Sequence, residues 1–118
     1  MIWTLKIWAA TPSLNVTLRQ HWRTRGRKQV DMFFLVAEAL GKTPVPKATG
    51  KRRLVIERHG RKLLDMDNMA AGCKALVDVI KHRGLILDDN PAACELVFRQ
   101  ATPCLLAPFT LVTLEDIA

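Results

Sequence analysis

Asn68 to about Arg83 constrains the fold of this chain more than any other segment, because its periodicity predicts an amphipathic helix with acidic residues at both ends. Take Asp67 as the origin at about 100° per residue: Lys74 and Asp78 then fall within about 20° of it, one on each side. Met69, Cys73, Leu76 and Ile80 stack opposite, on the stripe that goes to the core. Gly84 stops the helix. Asp65 and Asp67 stand at its start and Asp88-Asp89 just beyond its far end, so five of the eleven acidic residues fall within twenty-five positions.

The flanking segments read mostly as strands. Ile2 to Ala9 alternates and ends in a turn at Thr11-Pro12-Ser13-Leu14-Asn15. A basic segment with Trp22 among its charges follows, and Gly26 makes it a loop at least in part. Asp31 opens a helix running to about Leu40, with Phe33, Phe34, Val36, Ala37 and Leu40 as its apolar side and Gly41 closing it. Arg52 to Arg58 is a strand with Leu54 and Ile56 on one face and Arg53, Val55 and Glu57 on the other. Cys94 to Gln100 and Phe109 to Leu114 are two more strands, expected to form a hairpin around Thr102-Pro103. The order strand-helix-strand-helix-strand-strand predicts a small mixed α/β domain of the α+β class. At 118 residues the chain makes a single domain, 1–118.

Charge and cysteine content narrow the function. Eighteen Lys and Arg against eleven Asp and Glu give a formal net charge of +7, which favours a polyanionic partner. Apolar residues make up 49 % of the chain, high for a small basic domain, and part of that surface is expected in a subunit interface. Cys73, Cys94 and Cys104 are odd in number and lack C-x-x-C spacing, which fits thiols in a reducing compartment and neither a disulfide framework nor a zinc site. The N-terminal residues lack a signal-peptide core and no run is long enough to span a membrane, so the expected location is cytoplasmic, with no membrane partner.

The carboxylates carry the chemistry. Two of them about 4 Å apart cost roughly 1 kcal/mol in water and about 4 at an effective dielectric near 20, so a true cluster calls for a cation. Asp65 and Asp67, two apart in an extended segment, project to the same side. They can act as helix caps, or as hard oxygen ligands for Mg²⁺, which takes one or two protein carboxylates and completes its shell with water and phosphate. Lys74 and Asp78 alone read as an ordinary i,i+4 pair. An EF-hand beginning at Asp65 is excluded by Met69 and Ala70, and the chain contains neither a P-loop nor a G-x-G-x-x-G motif that would hold an organic cofactor. Acidic residues in a basic chain point to metal-dependent phosphodiester hydrolysis.

Taken together, Asp65-Met66-Asp67-Asn68, Lys74-Ala75-Leu76-Val77-Asp78 and Gly84-Leu85-Ile86-Leu87-Asp88-Asp89 resemble the signature of the RusA family of Holliday junction resolvases. Thr11-Pro12-Ser13-Leu14-Asn15 with Arg19 is similar to that family's opening motif. The resemblance implies a RusA-like homodimer that cuts four-way DNA junctions by paired symmetric nicks in recombination and repair. It implies Mg²⁺ as cofactor, Asp65, Asp67 and Asp89 as metal-binding catalytic carboxylates with Asp88 adjacent, and Lys74 as catalytic lysine. The run between Asn68 and Lys74 is longer than in the family's best-known form. Leu64 stands where a basic residue often precedes the first Asp, with Arg61 and Lys62 just upstream.

Two-fold symmetry suits the task, since a four-way junction presents two related strands to two identical sites. Arg19, Arg23, Arg25, Arg27, Lys28, Arg58, Arg61 and Lys62 are the candidate phosphate contacts, which would grip DNA without reading sequence. Trp22 is a candidate to stack at the branch point, or else a packed indole. Two rival readings remain: a non-catalytic junction-binding protein that keeps its acids for folding or dimer contacts, and a flap or single-strand nuclease with the same site.

Overall fold

The computed structural model describes residues 1–9, 22–101 and 107–117, and of 22–30 the backbone alone. The elements in order are β1 (Ile2–Ile7), α1 (Trp22–Lys42), β2 (Arg52–His59), α2 (Met66–Gly72), α3 (Lys74–His82), β3 (Cys94–Gln100) and β4 (Phe109–Asp116). The four strands form one sheet in the order β1-β4-β2-β3. β4 runs antiparallel to both β1 and β2, while β2 and β3 are parallel. The expected mixed α/β class holds.

Three expectations are corrected. The last two strands are not a hairpin, because β2 lies between them. Parallel pairing of β2 with β3 requires a crossover, which α2 and α3 supply. β4 is central because Thr110, Val112 and Leu114 are all buried, and Val112 and Leu114 face Leu5, Trp3, Ile56 and Leu54 across the two ladders. Secondly, α1 begins at Trp22 and passes through Gly26. A single glycine costs a helix only about 1 kcal/mol against alanine, so the described part of the basic segment, from Trp22 on, is helical. Thirdly, the central helix is divided at Cys73, whose backbone remains in the right-handed helical region (φ −82°, ψ −3°).

One face of the sheet carries the core. Leu5, Ile7, Leu54, Ile56, Val112 and Leu114 meet Met32, Val36 and Ala39 of α1 and the stripe Met69, Cys73, Leu76 and Ile80, all buried. That stripe is the one the sequence predicts. Each large aliphatic side chain buried there contributes about 1.5–3 kcal/mol. α3 ends in a closed turn: Gly84 has φ +75°, its N–H donates to Lys81 O (2.9 Å), and Leu85 N–H donates to Ile80 O (3.1 Å). The two bonds satisfy carbonyls the helix would leave open, and Leu85 buries against the core.

Arg52 is the one charged residue among the buried described side chains. Its Nε donates to Asp116 Oδ1 (2.8 Å), and its Nη1 to Pro46 O and Leu85 O (2.9 Å each). The guanidinium also lies 4.8 Å from the centre of the Trp3 ring. It thereby fastens the 46 and 85 loops to the start of β2, inside the sheet. Among the described residues no helix is long and apolar enough to cross a membrane.

Candidate active site

Asp65 sits where a capping residue would, immediately before α2, but its side chain makes no capping hydrogen bond. Asp67 lies in the first turn. Both are exposed, and among the described residues neither enters an ion pair. Capping therefore does not account for Asp65. Two free carboxylates on one short segment are oxygen donors of the kind Mg²⁺ takes, and the remaining ligands can come from water and phosphate.

The segment that carries them is tied down from the sheet. Gln100, the last residue of β3, accepts from Leu64 N–H at 2.7 Å and donates through Nε2 to Leu64 O at 2.6 Å. Its register partner on β2 is Arg58, whose Nη1 donates to Lys62 O at 2.6 Å. Partial burial draws the Arg58 guanidinium below its ordinary value, and a nearby Cys73 works in the opposite direction. A Cβ on buried Gly60 would overlap that guanidinium, so glycine is what lets Arg58 fold back. Arg58 thus has its Nη1 on protein backbone. Arg61 and Lys62 are exposed immediately before the acidic segment.

Asp88 and Asp89 lie at the opposite end. The Leu64 anchor is on Gln100, whereas Asp89 lines a shallow cleft with Lys51, Pro91, Cys94 and Glu95 at the start of β3. The seven residues of β3 separate the two places by about 20 Å. Among the described residues no group of three or more acidic, histidine or cysteine side chains is placed to hold a metal ion. One chain therefore brings Asp65 near Asp67, and Asp88 near Asp89, but does not bring the two pairs together.

The second pair is already compensated. Lys81 Nζ lies 3.0 Å from Asp88 Oδ1 and 3.9 Å from Asp89 Oδ1. Asp88 also accepts from Asp89 N–H (2.8 Å) and Asn90 Nδ2 (3.1 Å). The Lys81 hydrogen bond first, and then the hydrogen bonding with Asp89, hold the Asp88 carboxyl at about 2, below its ordinary 3.8. The same partner raises the Lys81 ammonium. Asp88 is a loop-forming residue, and Asp89 has the freer carboxylate.

Lys74 begins α3, beyond the break at Cys73, and its Nζ lies 3.8 Å from Asp78 Oδ2; among the described residues it forms no ion pair with Asp65 or Asp67. Of the candidate DNA contacts, Arg19 lies outside the described residues, as do the side chains of Arg23, Arg25, Arg27, Lys28 and Trp22. Thr11 to Asn15 and Cys104 lie outside them as well. Lys6 and Arg99 were not singled out from the sequence. Arg99 is exposed next to Gln100, and Lys6 lines a small pocket with Trp8 and with Leu35, Glu38 and Lys42 of α1, its ammonium 4.1 Å from the Trp8 ring and 4.3 Å from the Phe109 ring. Gln100 was missed too, since a lone glutamine ending a strand gives no signal.

No protein-family model matches the chain, and no curated protein matches it.

Proposed function

We propose that the protein is a Mg²⁺-dependent endonuclease acting as a homodimer on branched DNA, with the four-way junction as substrate, as its resemblance to RusA resolvases implies. The observation that carries the reading is the pair Asp65 and Asp67: exposed, without a capping bond at Asp65 or an ion pair at either among the described residues, and kept within a chain of net charge +7. A free acidic pair beside Arg61 and Lys62 suits a metal that approaches together with a phosphate. Mg²⁺ held by Asp65 and Asp67 would supply Lewis acidity at the scissile phosphate. Arg61 and Lys62 would bind the flanking phosphates.

The distance from Asp65 to Asp89 favours a shared site, with Asp89 contributed by the second copy. Exposed apolar residues lie next to both pairs: Leu63 and Met66 beside Asp65 and Asp67, and Leu87 beside Asp88. A two-fold arrangement that brings one copy's first pair to the other's second would cover these side chains twice, once per site.

A rival reading, a junction-binding protein without catalysis, draws on the neutralisation of Asp88 and Asp89 by Lys81. Asp67→Asn separates the two. A labelled synthetic four-way junction is incubated in Mg²⁺ or EDTA, beside linear duplex and single strand. The nuclease gives paired nicks on the junction in Mg²⁺ alone, and Asp67→Asn abolishes them while binding stays equal or tightens. Binding without cutting by the unaltered protein overturns the nuclease in favour of the rival, and nicks on flaps or single strands redirect the substrate.

A further inference from the structure

We propose that Arg58 and Gln100 are positioning residues for the acidic pair: neighbours across the β2–β3 ladder, they grip the backbone of 62–64 and so fix where Asp65 and Asp67 stand. The inference rests on the nuclease reading and gives these two residues a role that acts through the backbone before Asp65. Arg58 and Gln100 occupy the last paired positions of two parallel strands, directly opposite each other. The chain leaves β2 at His59, turns, and passes the end of β3 before α2 begins. The turn has no strand of its own to pair with.

Gln100 supplies that missing pairing. Its primary amide offers an acceptor and a donor side by side, and it meets Leu64 N–H and Leu64 O at 2.7 and 2.6 Å as a strand backbone would. Leu64 is the residue before Asp65, so rotation about one residue separates the clamp from the first carboxylate. Arg58 holds Lys62 O two residues earlier. Gripped at both points, the segment cannot pivot without breaking three hydrogen bonds. Asp65 is left with extended backbone (φ −59°, ψ 146°) and a side chain without a capping bond. The ordering is supplied by the sheet before any metal binds.

Gln100→Met removes both amide bonds at similar volume. Gln100→Glu keeps the acceptor and, once protonated, regains a donor. Amide exchange in the metal-free protein is the first readout: Gln100→Met should speed exchange at Leu64 and the opening turn of α2 while leaving central β2 amides unchanged. Mg²⁺ titration is the second, with an expected weakening of about tenfold, as for other residues that orient metal ligands. Junction affinity in EDTA should stay within about twofold, because no group that meets phosphate is removed. For Gln100→Glu, activity relative to the unaltered protein should rise as pH falls, a recovery that a merely structural role would not give.

Gly60→Ala approaches the same device from the other side, since its Cβ displaces the flexible end of Arg58. It should weaken Mg²⁺ binding with little loss of melting temperature. Unaltered protein that neither cuts nor titrates with Mg²⁺ overturns the nuclease reading and the positioning role with it. Unaltered protein that does both, while Gln100→Met matches it in exchange and titration, overturns the positioning role alone.

Discussion

Asp88 and Asp89 are neighbours in sequence but differ in what holds them. Asp88 takes the closer contact with Lys81 and two hydrogen bonds from its own loop; Asp89 keeps the longer ion pair and an exposed carboxylate. The Asp88 carboxyl at about 2 has a consequence for stability. A carboxyl whose folded value lies below its ordinary 3.8 stabilises the fold above that ordinary value, and the contribution disappears as pH falls through about 2. Asp88→Asn should therefore melt below the unaltered protein at neutral pH, with the difference closing between about pH 4 and pH 2. Thermal unfolding of both proteins at pH 7, 4 and 2 checks this; a constant difference across the series would contradict it. At this scale the acids were legible in the sequence, and their partners were not. Gln100 lies 36 positions from Leu64, and neither residue carries a mark that the other is its neighbour. Arg58 and Arg61 look alike on the page, yet one binds backbone and the other faces solvent.

Among the elements, periodicity predicted what it can encode. The alternation in β1 and β2 and the stripe Met69, Cys73, Leu76, Ile80 fix which face is buried, and the fold buries those residues. The choice of partner strand is not periodic. β3 and β4 carry patterns compatible with a hairpin, but β4 pairs with β1 and β2 instead, where both of its edges are used. Gly26 suggests a break because glycine often marks loops, yet one glycine is too small a cost to stop a 21-residue helix. Gly84 does stop its helix, for a reason with measurable weight. At φ +75° a Cβ is strained, although its nearest neighbours, the Lys47 side-chain carbons at 3.4 Å, leave it room. Gly84→Ala should lower unfolding stability by about 1–2 kcal/mol through backbone strain. Equilibrium denaturation measures it, and an unchanged midpoint would show that the closing turn can be made without a left-handed residue.

Considered whole, the molecule separates its two acidic pairs and sets basic side chains beside each, Arg61 and Lys62 near the first and Lys81 at the second. One sheet, with helices on one face, sets Asp65 and Asp67 at the Gln100 end and Asp89 at the Cys94 end, about 20 Å apart along β3. We propose that a second copy brings them together. A mixture of two single variants tests it. Asp67→Asn and Asp89→Asn are each predicted to be inactive alone on the four-way junction in Mg²⁺. Re-equilibrated at equal concentrations, half of the dimers would be mixed, each with one intact site built from the two unaltered halves. Nicking should then return to roughly a quarter of the unaltered level, as single and not paired cuts. A mixture as inactive as its components would show that each site is built within one chain, and would contradict the shared arrangement.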